Sequence, residues 1–315
     1  MSPSAPPIRA QFNLCVSIPS LADLRAALLA GDWGTVEDYF DFLDDEDDRA
    51  VAAGVVDSIS STTRFLEQAA ARHPRSALAR TLVARQYITT GWDIRSAYTA
   101  EHVSRDQFQQ FHAWLRRAEQ LLIDVCAEHP AYAPAWAARL TTARGLQLGQ
   151  SEVRRRYDRL AEHHPHHISA QSSMLQKLCP KWGGSWEEAF GFARACLESA
   201  PPGSHAGRLI AAVHLERWLE DADEGHSTYL RSPEVRDEIL AAAARSVRHP
   251  DYRPGFQWIT DHNEFAGALS LGGHHREAAP FFRTLGDRAT ESPWNYVGDK
   301  EVQFLKHRKT ALAKG

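Results

Sequence analysis

Cysteine, lysine and long apolar runs are scarce in this sequence of 315 residues, and the cysteines and apolar runs each exclude a class of protein. The four cysteines form no CxxC pair and no zinc-ligand spacing, which excludes a zinc site of that type. No window approaches the ~20 apolar residues of a membrane helix, and the first twenty residues lack the apolar core of a signal peptide. We therefore expect a cytoplasmic protein with no membrane partner.

A large excess of charge of either sign is also lacking, since the net charge is −4 and the sequence pI lies near 6.5. This balance creates no general attraction to polyanions, and it argues against nucleic acid as a partner. Only six lysines stand beside thirty arginines, a bias typical of a GC-rich bacterial genome. Hydrophobic residues make up 43% and charged residues 24% of the chain, as in globular proteins, so the chain can fold around a core.

Helical periodicity is abundant and starts at Ser20, after a stretch rich in proline and serine. We expect residues 1–18 to form a flexible lead-in. The longest predicted helix runs from Ser104 to about Glu128 and begins with a capping box of Ser104 and Gln107. No stretch alternates β-branched and polar residues over four or more positions, so we predict an all-α protein.

Helix stops recur along the chain with a nearly constant period. Pro130, Pro165 and Pro201 lie 35 and 36 residues apart, close to the ~34 residues of a tetratricopeptide repeat. The clearest hairpin has small residues, a turn glycine and aromatic residues in the order that such repeats use: Phe265, Ala266, Leu269, Gly273, Ala278, Phe282 and Leu285. We predict an α-solenoid of tetratricopeptide-like antiparallel helix pairs, with about 12 to 14 helices in a single domain over residues 19–315.

One short motif resembles a known family. The residues from Leu178 to Ser185, followed by Glu188 and Ala193-Arg194, resemble the PKWGGS signature of a family of uncharacterised bacterial proteins, tetratricopeptide-like and frequent in actinomycetes. The stretch from Gly286 to Asp299 also resembles the end of that family, and the likeness covers roughly residues 60 to 305. The resemblance implies a helical-repeat fold and transfers no catalytic residue.

The motif loop is a candidate site and comprises Lys181, Trp182, Gly183, Gly184 and Ser185. Its main interpretation is structural: a turn between two helices, with Ser185 as the N-cap and Glu188 three positions later. The alternative is an anion site made of glycine amides and the Lys181 charge. The spacing is not that of a phosphate-binding loop, and the acidic first turn of the next helix would repel an anion, so we favour the turn.

Arginines form the predicted ligand face, which comprises Arg139, Arg144, Arg154, Arg155, Arg156 and Arg159. The concave faces of helical repeats bind extended peptides, and guanidinium groups suit carboxylates and phosphates. The alternative is that these arginines pair with neighbouring acids on a solvated surface.

Histidines surround Pro165 and are candidate metal ligands: His163, His164, His166 and His167. Two ligands on one helix face need a spacing of four residues, whereas the proline forces a turn that makes these side chains diverge. We therefore predict a histidine-rich connection between helices, with no metal and no cofactor.

Two acidic stretches allow further chemistry. The run Asp44–Asp48 lacks the glycine and glutamate of a calcium-binding loop, so we predict an exposed acidic loop. Asp261, His262 and Glu264 have side chains suited to acid–base work, but they lie inside the clearest hairpin, where His262 borders the core.

These patterns favour a protein-interaction scaffold or adaptor that binds a partner peptide or protein, of unknown identity, on a concave, arginine-containing groove. The alternative is an enzyme or biosynthetic accessory protein with a site of histidines and carboxylates in the groove, with or without a metal. Residues from separate helices meet only in the fold, so sequence spacing does not decide between the two. No GxSxG or related catalytic motif is present, and the scaffold is therefore the leading hypothesis.

Overall fold

The computed structural model describes residues 9–96, 103–223 and 228–315, and these ranges form helices and connecting turns. The α-helices are α1 (Leu14–Ser17), α2 (Pro19–Ala30), α3 (Trp33–Asp41), α4 (Glu46–Asp57), α5 (Thr63–Arg72), α6 (Ala77–Arg95), α7 (Arg105–Glu128), α8 (Ala133–Gly145), α9 (Gln150–Ala161), α10 (Ile168–Leu178), α11 (Trp186–Ser199), α12 (Arg208–Asp223), α13 (Pro233–Arg245), α14 (Trp258–Leu271), α15 (His275–Leu285) and α16 (Lys300–Lys314). Apart from one isolated bridge, no β-structure occurs in the described ranges. The predicted all-α class is confirmed.

Sixteen α-helices lie in these ranges, more than the predicted 12 to 14. One difference lies in the acidic run, which begins α4 and is not a loop. The Asp45 carboxylate accepts the backbone N–H groups of Asp47 and Asp48 at 2.7 and 3.2 Å. Acidic residues in a first turn are stabilising because unpaired N–H groups and the helix dipole face them. None of the helices in the described parts of the chain is both long and apolar enough to cross a lipid bilayer.

Contacts within the chain cluster in two compact units, and the single domain expected over residues 19–315 stays a prediction. The first unit is Pro19–Ser185, and the second unit combines Met1–Ile18 with Trp186–Gly315. In the first unit each helix from α6 to α10 contacts the next one, and α4 lies against α6, α8 and α10. In the second unit α12 contacts α11 and α14, and α15 contacts α14 and α16.

Helix α7 shows how local sequence positions the first unit. Its predicted capping box is present: the Ser104 hydroxyl accepts the Gln107 N–H at 3.2 Å, and the Gln107 side chain accepts the Ser104 N–H at 3.0 Å. Phe111, Leu115 and Leu122 recur on one face and are at most 2% exposed. Each such burial contributes ~2 kcal/mol, so one face of α7 is fixed against the core.

The hairpin of α14 and α15 forms the core of the second unit, as the sequence predicts. Gly273 makes the turn with φ of +82°, a conformation that L side chains rarely adopt. Phe265 stacks on Phe281 at 5.3 Å, and Phe282 lies 5.9 Å from Trp294 between ring centroids.

The described part of the predicted lead-in has a defined course in the second unit. The N–H of Gln11 donates to the carbonyl of Asp287 at 2.7 Å, and the N–H of Ala289 donates to the carbonyl of Gln11 at 3.0 Å. The side chain of Asn13 caps α1 by accepting the Cys15 N–H at 3.0 Å. Backbone pairing across almost the whole chain length explains why the sequence does not predict this course.

Asp261 lies fully buried in α14, within a network of hydrogen bonds. Its carboxylate accepts from His205 Nδ1 at 2.6 Å, from the Tyr252 hydroxyl at 2.8 Å and from Arg208 at 3.0 Å. Burial by itself would raise the pKa of Asp261, but the hydrogen bond from His205 and the charge of Arg208 outweigh it and lower the pKa. His262 donates from Nδ1 to the carbonyl of Trp258 at 2.8 Å. Both side chains have the partners of a packed core.

Glu264 differs, because burial, assisted by Glu216 and Asp261, raises its pKa to about 7 despite the opposing charge of Arg208. The folded protein therefore keeps a proton that the unfolded chain releases above its ordinary pKa of 4.5. Stability conferred by this proton falls as pH rises from 4.5 to about 7 and stays low above that range.

We expect Glu264→Gln to be more stable than the parent by about 1–3 kcal/mol near pH 8, because its amide cannot ionise. The gain should vanish below about pH 4, where both states of the parent are protonated. Urea denaturation at the two pH values measures this difference. Glu198→Gln, on an exposed side chain of the same unit, is the control and should change stability by less than about 0.5 kcal/mol. A Glu264→Gln variant no more stable than the parent near pH 8 would contradict the assignment.

Candidate functional site

A cavity of about 530 Å³ opens in the first unit between α6, α7, α8 and the loop that follows α10. Four cationic side chains line it, namely Arg95, Arg144, Lys177 and Lys181. Four aromatic side chains line it as well, namely Trp92, Phe108, Phe111 and Trp182. No acidic residue occurs among the lining residues that the structure describes. Its volume is that of a small-molecule site, and its lining combines an apolar surface with positive charge.

The motif loop forms one wall of the cavity, and each of its two glycines is required for a different reason. Gly183 has φ of +86°, which ends the 3₁₀ turn Pro180–Trp182. Gly184 lies so close to α10 that an added Cβ would stand 2.0 Å from the carbonyl oxygen of Leu178. The side chain of Gln150 donates to the carbonyl of Gly183 at 2.9 Å and fixes the loop from outside.

The alternative use of this loop, an anion site made of glycine amides, does not fit its geometry. The N–H of Gly183 donates to the carbonyl of Pro180 at 2.8 Å, and that of Gly184 to the carbonyl of Cys179 at 3.3 Å. Both amides are engaged in the turn. The loop instead brings two side chains to the cavity, those of Lys181 and Trp182, and ends at Ser185, the residue before α11.

Arg144 joins the aromatic side chains of the cavity. Its guanidinium carbon lies 5.5 Å from the ring centroids of both Trp92 and Trp182. The two indole rings are 6.3 Å apart and nearly perpendicular, at 82°. Phe111 packs against Trp92 at 4.8 Å in a similar edge arrangement. Each cation–π contact contributes about 0.5–2 kcal/mol, so Arg144 stabilises the corner between the indoles and adds positive charge there.

Lys177 is the most unusual residue of the site, because its side chain is a cation that is only 6% exposed. Its ammonium donates to the carbonyl of Trp182 at 2.9 Å. Within the described residues, no carboxylate lies within ion-pair distance of its Nζ. Burial lowers the pKa of Lys177, and the charge of Arg144 lowers it further. A buried ammonium without a counter-ion is costly, and an anion in the cavity would relieve that cost.

The end of α8 borders the cavity in a constrained conformation. An added Cβ at Gly145 would lie 2.4 Å from Leu115 Cδ1, so only glycine lets α8 approach α7 this closely. The next residue but one, Gln147, has φ of +57°, which is uncommon for a residue with a side chain. Strained residues of this kind often occur at ligand sites.

The predicted arginine face is divided among three places. Arg139 and Arg156 are buried around Glu119, whose carboxylate accepts from them at 2.8 and 2.9 Å. Thr142 donates to the same carboxylate at 2.5 Å. Arg144 lies at the cavity. The six residues therefore do not share one surface.

The remaining arginines of that face are exposed on α9. Arg155 pairs with Glu152 at 2.8 Å and Arg159 with Glu162 at 3.3 Å, while Arg154 is exposed on the same helix. Pairing with neighbouring acids, the alternative interpretation, therefore describes Arg155 and Arg159.

Helical periodicity contained the signal that separates these arginines. Val153, Arg156, Tyr157 and Leu160 follow the spacing of one buried helix face, and all four are buried. Arg156 therefore points inward, whereas its neighbours in sequence point outward.

The four histidines near Pro165 are not gathered around one point. His167 caps α10 by accepting the Ala170 N–H at 3.2 Å, and burial lowers its pKa to about 4. His164 donates to the carbonyl of Ala131 at 3.0 Å. In the parts of the chain that the structure describes, no group of three or more histidines, cysteines or acids is arranged to hold a metal ion, and this includes His163 and His166.

Sequence analysis did not single out Trp92, Arg95, Phe108, Phe111 or Lys177. One signal was present: four of the six lysines lie within the last sixteen residues, and the other two, Lys177 and Lys181, both line the cavity. In a chain that otherwise uses arginine, two lysines four positions apart mark this segment.

Comparison with known proteins identified no matching family model, no matching curated protein and no matching solved structure.

We expect Gly184→Ala to destabilise the protein by about 1–3 kcal/mol, because its Cβ meets backbone atoms of Leu178 that cannot move alone. Gly183→Ala is the control: Gly183 has a positive φ, unlike Gly184, but nothing lies within 4 Å of its added Cβ. We expect it to cost about 1 kcal/mol. Denaturant unfolding of both variants makes the comparison, and a smaller loss for Gly184→Ala than for Gly183→Ala would contradict the close packing of Gly184.

We expect Glu119→Gln to cost about 3–5 kcal/mol, because it removes the buried carboxylate that Arg139 and Arg156 share; Arg156 keeps its pair with Glu152, whereas Arg139 loses its acidic partner among the described residues. Glu162→Gln breaks an exposed pair with Arg159 and should cost less than about 0.5 kcal/mol. Thermal unfolding monitored by circular dichroism tests both. A small effect at Glu119 would contradict the role of its carboxylate as the partner of buried Arg139.

Proposed function

We propose that the protein is a binding module that takes an acidic ligand into the cavity of its first unit. The observation that carries this proposal is Lys177, a buried ammonium that lines the cavity and has no carboxylate within ion-pair distance among the described residues. A ligand with negative charge would supply the missing counter-ion.

The rest of the lining favours the same kind of ligand. Arg95, Arg144 and Lys181 also line the cavity, and their side chains are cationic. Charge-assisted hydrogen bonds to buried groups are about twice as strong as neutral ones, and a partly enclosed cavity reduces solvent screening. The aromatic surface would contact the apolar body of the ligand. Charge would thus select the ligand, and apolar contact would add affinity.

The residue types that line the cavity agree with ligand binding without catalysis. The described lining contains no histidine, aspartate or glutamate, and so no carboxylate or imidazole base. The enzyme with a histidine and carboxylate site therefore has no support in this cavity. An acidic group on a partner protein would make the protein the adaptor that the sequence predicts, and an acidic metabolite would make it a small-molecule binding protein.

The proposal includes the finer predictions from the sequence. It takes the helices to be stacked as tetratricopeptide-like pairs in a solenoid, the chain to be related to the PKWGGS family, and the location to be cytoplasmic. Contacts between consecutive helices support the stacking, as does the glycine turn at Gly273.

Two fluorescent probes that differ by one sulfonate test the charge requirement: 1-anilinonaphthalene-8-sulfonate and its uncharged analogue N-phenyl-1-naphthylamine. We expect Lys177→Met to weaken binding of the anionic probe by about 10- to 100-fold, the loss of one charge-assisted hydrogen bond, and to leave the neutral probe unaffected. The pKa of Lys177 lies below its ordinary value of 10.5. The parent should therefore lose affinity for the anionic probe at a pH below 10.5, where the Lys177 ammonium deprotonates.

Folding provides the first control. Burial in the folded protein disfavours the protonated form of Lys177. Lys177→Met removes this buried ammonium, so the unfolding midpoint of the variant should stay close to that of the parent. Lys309→Met, on an exposed side chain of α16, should bind both probes as the parent does. Equal affinity of the parent and Lys177→Met for the anionic probe would reject the proposal.

A further inference from the structure

The aromatic side chains of the cavity are partly uncovered. Trp92, Phe108 and Trp182 are each half-buried, and all three line the same space. Exposed aromatic surface costs about 25 cal/mol for each Å² that a ligand could cover. Phe111, by contrast, is 2% exposed and supports Trp92 from behind. The cavity therefore has an aromatic surface available in addition to its positive charge.

The two indoles form a right-angled corner. Their planes meet at 82° with centroids 6.3 Å apart. A flat ring that lies offset against one indole presents its edge to the other, and both arrangements are the ones aromatic pairs prefer. An aliphatic group in the same corner gains only the burial of apolar area. The geometry thus distinguishes a ring from an aliphatic body of the same size.

The positive charge lies next to this corner. The Lys177 ammonium donates to the carbonyl of Trp182, the residue whose indole forms one side of the corner. Arg144 lies over both indoles at 5.5 Å. A ligand that uses both features has its acid group within a few bonds of its ring.

From these observations we infer that the ligand is an aromatic acid, a planar ring that carries an acid group a few bonds away. The inference rests on the proposed binding of an acidic ligand and adds the ring. The same chemistry is available from a free aromatic metabolite and from the C-terminal aromatic residue of a peptide. The cavity, at about 530 Å³, is large enough for either.

Phenylacetate and cyclohexylacetate test the ring, because they share charge and chain length and differ in aromaticity. In competition with the anionic naphthalene probe, we expect phenylacetate to bind about five- to tenfold more tightly. Trp182→Leu should reduce that preference to about twofold or less while cyclohexylacetate binds as before. Trp182→Phe should restore the preference, and helix content by circular dichroism shows whether each variant is folded.

The outcomes separate this inference from the proposed function. Equal displacement of the probe by both acids, or displacement by neither, overturns the aromatic acid and leaves anion binding in place. If the affinity for the anionic probe is the same in the parent and in Lys177→Met, anion binding itself is rejected. A preference for phenylacetate that survives Trp182→Leu in a folded variant also overturns the role of the corner.

A peptide distinguishes the two sources of the aromatic acid, a free metabolite and the C-terminal residue of a partner protein. A tetrapeptide that ends in phenylalanine is compared with phenylacetate and with the same peptide amidated at its C terminus. Tighter binding of the free peptide than of phenylacetate, lost on amidation, supports the aromatic acid as the end of a partner protein. Tighter binding of phenylacetate supports the aromatic acid as a free metabolite.

Discussion

A single hydrogen bond, from the buried ammonium of Lys177 to the carbonyl of Trp182, connects the features of the candidate site. It ties the loop after α10 to the helix from which that loop emerges. Trp182 then stands at a right angle to Trp92, with Arg144 over both rings. Among the described residues, the carbonyl of Trp182 is the acceptor of this buried ammonium. It thereby places a positive charge of the cavity beside its aromatic corner.

The chain handles its other buried charges differently, and the contrast is informative. Glu119 is shared by Arg139 and Arg156, and Asp261 accepts three hydrogen bonds, one of them from Arg208. In those networks attraction offsets the desolvation of each charge, which for an isolated ion is several kcal/mol. At Lys177, within the described residues, the desolvation is offset by a neutral carbonyl. Networks of the first kind stabilise a fold, whereas a cation of the second kind is suited to a ligand.

Local sequence patterns predicted the structural features that depend on residues close to one another in the sequence. The capping box of Ser104 and Gln107, the turn at Gly273 and the buried face of the last hairpin follow from spacings of three or four residues. Errors arose where a local pattern has two outcomes. The acidic residues after Asp44 suit both a loop and a first helical turn, and the cap formed by Asp45 selects the helix.

The sequence by itself determined the all-α class, because helix periodicity, caps and the absence of alternating strands are local properties. It also marked the motif loop, since two adjacent glycines and the two isolated lysines are visible in the chain. Only the tertiary structure decided which arginines are buried pairs and which one lies at the cavity. It also brought Trp92, Phe108, Arg144, Lys177 and Trp182 together from separate elements across 90 positions of the chain. The physical reason is that side chains from different helices acquire a shared environment only when the helices pack, and burial, charge compensation and ring geometry are properties of that environment.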